Sequence, residues 1–578
     1  MIVEKRAIVG AVLVVGALLI STCGPRGDAA PPEVTIDEVE VTSPPEIDEG
    51  TGKVPKVSAE PGEEVPDLGA GCTYNGYYAL WVMDYGDLEN VLNVLFHPGS
   101  PFQYTFWDDQ TYRDLVDQAL SERDSDARME LWQQAEGILV SDHAAVIPIY
   151  HSDLTKLVRP EIEAVFTPFG GPPIKDWRLP PGQTTLRYAT WEPETLDVSQ
   201  ADDLGSFRIL GQVMEGLYEY DEEGTIQSAG AVSYQVSEDG LVYTVKLRED
   251  ATWSDGMPVT AQHYVDGIIR LLEPSTEAWY AWLMYVVQGA ESYNTGETGD
   301  PASVGVRAVD DHTLEIRLAQ VASHFDAVLA FSTTYPVRLD VIEQHGDLWT
   351  RPQNLVCNGA YLLAEWDAEW PGFGQIVLEK NPDYWGADDV TIERIEFRFD
   401  DESYTALAAY ERGELDVSGY PRGELPRILE EMPEHLRCLP YPGTWYIGLN
   451  TLHPPTDNLN LRKALSSAVD RWAILDDVLE TPWRIAACGV VPPEIPGYQG
   501  CGEVGYDFDL EAAQGYLRAA LEEMDVDDPD DVSITLWSFY GEDITGAIAE
   551  QWETYLGIQV DVFRIDFEYW EILSSCGG

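Results

Sequence analysis

The sequence predicts a mixed α/β fold built as two lobes with mixed sheets. Two observations carry that expectation. The 578 residues are 44% hydrophobic and include 18 Trp and 30 Tyr, which is material for two or three cores. Strand patterns also alternate with helical ones along the chain, as where Gln559-Val-Asp-Val-Phe-Arg-Ile follows a helical pattern ending near Tyr555. Most of the aromatic residues are expected in those cores.

Taken in order, the chain opens with an export signal. Lys5-Arg6 precede an apolar run, Ala7 to Ile20, that is short for a membrane span and suits the core of a signal peptide. Ile20-Ser-Thr-Cys23 resembles a bacterial lipobox in which Cys23 takes the lipid, although Thr22 departs from the usual small residue. Residues 1–23 are therefore expected to be a lipoprotein signal peptide, with an uncleaved anchor as the alternative. In both cases the body lies outside the cytoplasmic membrane, in a periplasm or at the cell surface. Residues 24–71 are rich in Pro, Glu, Asp, Val and Gly and lack aromatics, the composition of a disordered acidic tether.

The body that follows shows local patterns of both kinds. Leu241, Tyr243, Val245 and Leu247 share one face of an alternating run, a half-buried strand that leads to a turn at Ser254-Asp-Gly256. From Asp457-Asn-Leu-Asn, a polar capping cluster precedes Leu461, Leu465, Ala468 and Trp472, the spacing of an amphipathic helix.

Charge and missing motifs exclude several functions. With 102 acidic and 34 basic residues the net charge is −68, which repels nucleic acid and anionic membrane surfaces. Such a surface suits high salt, where screening relieves self-repulsion, or simply an acidic exported protein. Metalloprotease, serine-hydrolase, phosphate-loop and Cys-x-x-Cys motifs are absent, and the nine His lack metal-ligand spacing. No enzyme activity, cofactor or metal is expected.

Three stretches carry a family resemblance. They are Leu186-Arg-Tyr-Ala-Thr-Trp-Glu-Pro-Glu-Thr-Leu-Asp197; Leu241 to Ala261, with its Ala-Thr-Trp-Ser-Asp-Gly-Met-Pro-Val-Thr-Ala; and Tyr446-Ile-Gly-Leu-Asn450 with Pro454-Pro455-Thr-Asp457 and Leu461 to Arg471. A fourth, Trp81-Val-Met-Asp-Tyr-Gly-Asp-Leu-Glu-Asn-Val-Leu through Ala145-Val-Ile-Pro-Ile-Tyr150, resembles the family's C-terminal part. Together they are similar to family 5 extracellular solute-binding proteins, the oligopeptide and dipeptide receptors of ABC importers. The resemblance implies a two-lobed, type II periplasmic-binding-protein-like fold in rotated order. The family's C-terminal segment would occupy residues 72–180, the main body 185–578, and the smaller lobe about 223–345. Leu179-Pro-Pro-Gly-Gln183 would join the two parts within one lobe, giving a circularly permuted monomer, with a domain-swapped dimer as the alternative.

Functionally, the resemblance implies a receptor that delivers peptides to ABC permease subunits. Its fold also serves oligosaccharides and nickel complexes, and a non-binding remnant of a rearranged gene is a further alternative. Asp84 stands where peptide-binding members hold the ligand's α-ammonium. Its other possible role, capping the next helix, better suits Asp87. Edges that would take the peptide as an added strand match Pro193-Glu194-Thr195-Leu196 and Gly443-Thr444-Trp445-Tyr446. Tyr280 and Trp282 resemble the aromatic wall of the smaller lobe, with core packing as the equal alternative.

Setting Cys23 aside leaves six cysteines, an even number in an oxidising compartment, with fifteen possible pairings. Cys488 and Cys501 bracket one loop and make a local pair. Cys72 and Cys576 lie beside the two ends implied by the rotation, where a bond would clamp the seam. Cys357 with Cys438 follows by elimination.

Overall fold

The structure, a computed structural model, describes residues 74–367, 374–400, 403–439, 441–538 and 541–565. The expected signal peptide with Cys23, the tether 24–71, and Cys72 and Cys576 lie outside these residues.

Three sheets organise the molecule. The first has seven strands in the order Tyr361–Asp367, Gln375–Lys380, Arg394–Phe399, Thr185–Thr190, Val417–Ser418, Leu154–Val158 and Leu436–Leu439. The second has four, Ala231–Val236, Val242–Leu247, Thr313–Arg317 and Val306–Asp310. Five strands make the third, in the order Gln559–Arg564, Ser533–Ser538, Gly76–Val82, Gly443–Leu449 and Val146–His151.

Residues 74–178 supply strands to two of these sheets. Gly76–Val82 is paired on both edges, antiparallel to Gly443–Leu449 with Gly76 opposite Leu449, and parallel to Ser533–Ser538. Leu154–Val158 enters the seven-stranded sheet, where Val158 flanks Val417 on one side and Tyr188 flanks it on the other. Side chains add to this pairing. Buried Glu136, on the helix Ser125–Gly137, accepts hydrogen bonds from the Val490 and Val491 amides at 2.7 and 3.1 Å.

The linker is a turn within this arrangement. Arg178 and Glu163 exchange backbone hydrogen bonds at 2.9 and 3.0 Å, and Gln183 N–H donates to the Pro180 carbonyl at 3.0 Å. Gly182 sits in the left-handed region, φ 94°, which a side chain would resist. Thr185–Thr190 follows at once in the same sheet as Leu154–Val158.

Local patterns behave as their chemistry dictates. In Val242–Leu247, Tyr243, Val245 and Leu247 are buried, and the turn after it has Gly256 at φ 85°. Asn458 caps the helix Leu459–Ser467 by accepting from Leu461 N–H, and Leu461, Leu465 and Ala468 are buried. That helix stops short of Trp472, because Asp470 accepts from Ala473 N–H and starts a new one. Trp132, Trp177, Trp253 and Trp552 fill the cores. Among the described residues no helix is long and apolar enough to cross a membrane.

Cys488 and Cys501 are joined, as expected. The Cys357–Cys438 pairing is not made: Cys357 is buried and free, and Cys438 is disulfide-bonded elsewhere. Sheet order is the reason. Cys357 precedes the strand at one edge of the seven-stranded sheet and Cys438 lies on the strand at the other. Six strand spacings of about 4.8 Å separate those edges, far beyond disulfide reach.

Cleaving a protease site engineered between Leu179 and Gln183 is expected to leave the two pieces in one particle, since their strands alternate within two sheets. Size-exclusion chromatography of the nicked, folded protein should show a single peak at the uncut position, not a separate fragment.

Candidate ligand site

The site begins where the strand Gly76–Val82 ends. Pairing with Gly443–Leu449 runs to the strand's last residue, Val82 opposite Gly443, so the chain leaving it is fixed and Asp84 emerges two residues later. Asp87 accepts from Glu89 N–H at 2.9 Å and starts the short helix Glu89–Leu92. Burial alone would raise the Asp87 carboxyl, but the Arg128 guanidinium, bonded to both its oxygens at 2.7 Å, holds it below the usual range. Asp87 therefore holds the first amide of this helix and Asp84 does not.

Neutral donors hold Asp84. The Asn90 amide oxygen accepts from Trp81 Nε1 at 3.0 Å and from Asp84 N–H at 3.1 Å, which turns its NH₂ toward Asp84 Oδ2 at 3.1 Å. Tyr280 OH donates to Asp84 Oδ1 at 3.0 Å. No lysine or arginine forms an ion pair with Asp84 among the described residues. Burial consequently pushes its carboxyl up to about 6, against the pull of the Asn90 and Tyr280 hydrogen bonds; nearby Glu89 raises it further.

Asp84 opens onto a cavity of about 300 Å³ formed where the three sheets' surroundings meet. From beside the seven-stranded sheet come Phe207 and Arg208, on the helix Leu204–Val213, and the loop Phe166 to Pro172. Tyr280 comes from the 3-10 turn Trp279–Met284 next to the four-stranded sheet. Its ring packs on Phe331 at 4.8 Å and Phe207 at 5.9 Å, so one aromatic wall spans two units of the fold.

The other expected contacts lie elsewhere. Trp282 stands behind Tyr280, against Phe102 at 5.7 Å, and does not line this cavity. Gly443-Thr444-Trp445-Tyr446 offers no free edge, because its strand is paired with Gly76–Val82 on one side and Val146–His151 on the other. Its side chains are spent in packing: Thr444 donates to Val490 O at 2.9 Å, Trp445 stacks on Tyr78 at 5.0 Å, and Tyr446 is buried beside Phe96 at 5.7 Å. Pro193 to Leu196 is not an open edge either. The Glu194 amide donates to Asp203 Oδ2 at 3.3 Å and the Thr195 amide to Ser206 Oγ at 3.2 Å. Glu194 is exposed, and Thr195 lines a separate, wider depression with Asp197 and Arg270.

Arg208 was not among the sequence candidates. One signal for it exists: a lone cation inside the apolar helical stretch Phe207-Arg-Ile-Leu, in a chain where acids outnumber bases three to one.

A family model for bacterial extracellular solute-binding proteins, family 5, middle region, matches residues 225–575. The chain belongs to that family. The oligopeptide-binding protein OppA of Bacillus subtilis is 32% identical over 404 residues, 68% of this chain and 72% of OppA. A probable deoxycholate-binding periplasmic protein of Escherichia coli, YgiS, is 31% identical over 67% of this chain and 72% of its own length. Among solved structures, the Escherichia coli murein tripeptide binding protein MppA superposes with a TM-score of 0.52 at 26% identity, covering 68% of this chain and 77% of MppA.

In this solute-binding protein Asp84 destabilises the empty fold at neutral pH. Its value of about 6 exceeds that of an exposed carboxyl, so the folded state holds the proton more tightly. Stability from that proton is full below the exposed value and is lost as pH rises through 6. Asp84→Asn is therefore expected to be more stable than wild type at pH 8 by roughly 1–3 kcal/mol, with the gap shrinking at pH 5; urea unfolding at both pH values measures it.

Proposed function

We propose that this protein is an extracytoplasmic receptor that closes its lobes over a peptide and presents it to an ABC transporter permease. One observation carries the peptide reading: a carboxylate without a cationic partner, aimed into a cavity by neutral donors. A half-buried carboxylate left so is costly, and a ligand ammonium entering the cavity offsets that cost. The printed names of OppA and MppA support a peptide as the source of that ammonium. The hinge for closure is the crossing between the first and third sheets from His151 to Leu154. No bond chemistry is part of this role.

We further read the chain as a circular permutation of the family fold, acting as a monomer anchored by lipid on Cys23. Strands from 74–178 in two sheets support the permutation, as does a family match that starts only at residue 225. The expected Cys72–Cys576 clamp is not part of this proposal: Cys438 is disulfide-bonded, Cys357 is free and Cys488 bonds Cys501, so with Cys23 lipidated the partner left for Cys438 is Cys72 or Cys576.

Asp84→Asn is expected to weaken binding of peptides with free amino termini by at least about 30-fold, the worth of a desolvated charge pair, and to leave any weak binding of their N-acetylated forms unchanged. Isothermal titration of both forms checks this; equal losses for both would give Asp84 a structural role instead.

A further inference from the structure

The cavity contains a second charge that forms no ion pair among the described residues. Arg208 is 6% exposed. Of the five N–H bonds a guanidinium offers, the described contacts use one, from Nη1 to Thr190 Oγ1 at 2.6 Å. Its Nε is buried without a partner. Its faces lie near the rings of Tyr188, at 5.2 Å, and Trp191, at 5.5 Å, and those rings leave the in-plane donors unused.

Other arginines inside this chain make more hydrogen bonds, although Arg471 Nη2 also lacks a partner among the described residues. Arg270 and Arg128 each clasp a carboxylate, Asp197 and Asp87, through two hydrogen bonds. Arg462 and Arg471 donate to backbone carbonyls. Arg208, in so acidic a chain, forms no ion pair among the described residues, not even with Asp202, which lines the same cavity. A buried guanidinium in that state is held ready for an anion, because leaving it unpaired costs more than any neutral residue there would.

We propose that Arg208 is a carboxylate-binding subsite of the ligand cavity, so that the ligand is a short zwitterion held by its ammonium at Asp84 and by a carboxylate at Arg208. This rests on the peptide reading above and narrows it. A cavity of about 300 Å³ is small for a ligand site, which favours a dipeptide or tripeptide over a long chain. The carboxylate is either the terminal one or that of an acidic side chain, and the guanidinium fork fits both equally.

Titration calorimetry with trialanine, trialanine amide, N-acetyl-trialanine and the amide of alanyl-glutamyl-alanine separates these cases. Wild-type protein is expected to bind trialanine at least about tenfold more tightly than its amide, the worth of a charge-assisted pair. Arg208→Gln should bind acid and amide alike, while N-acetylation still weakens binding to it; Arg208→Lys, keeping the charge without the fork, should fall between. If the glutamyl amide regains the lost affinity in wild type and not in Arg208→Gln, the partner is a side-chain carboxylate. The subsite is overturned if amidation and Arg208→Gln each change affinity less than about twofold while N-acetylation abolishes binding, a result that leaves the peptide reading standing. Failure of wild type to bind any of the four removes the peptide reading and the subsite together. The comparison of peptides on wild type needs no variant to fold.

Discussion

The pairing of Gly76–Val82 on both edges is the constraint from which the rest of the structure follows. Between Gly443–Leu449 and Ser533–Ser538 the strand has no freedom of register, since a slip of one residue would turn its buried face to the other side. Close packing enforces the same answer: a side chain at Gly448 would run into the Tyr77 ring within 2.5 Å. The strand's exit is thereby fixed, and with it Asp84, Asp87 and the cavity wall. Chain order matters little to such a sheet, because hydrogen bonds between neighbours do not record which strand was made first.

Charge in this protein follows two regimes. On the outside, an excess of carboxylates sets the character of the surface. Inside, cations are rare and nearly all are committed, as with Arg187 on Asp416 and Arg338 between Asp255 and Asp340. Against that background Asp84 and Arg208, which enter the cavity from inside the fold and form no ion pair among the described residues, stand apart in kind. Each is costly when the cavity is empty, and their cost is what makes a complementary ligand favourable.

Local patterns made much of this molecule legible. The strand through Tyr243 and Val245, the cap at Asn458 and the Cys488–Cys501 loop depend on residues close in sequence, and each forms where its pattern lies. Motif resemblance also singled out Asp84 and Tyr280, 196 positions apart, which meet in one hydrogen bond. Properties of sheet order were not legible. Whether Gly443 to Tyr446 has a free edge, or whether Cys357 can reach Cys438, depends on which strands become neighbours, and no local pattern states that. Arg208 escaped for a related reason: its helix reads as core, and only the cavity shows that one side of that core is open.

In the proposed role the Asp84 carboxylate is the ligand's counter-charge, and proton linkage tests this most directly. At pH 6 an empty site is about half protonated, and an ammonium arriving beside it expels that proton. Titrating trialanine at pH 6 in two buffers of different ionisation enthalpy should therefore reveal release of roughly half a proton per peptide bound, and none for Asp84→Asn. Binding that releases no proton from the wild-type protein would contradict the account.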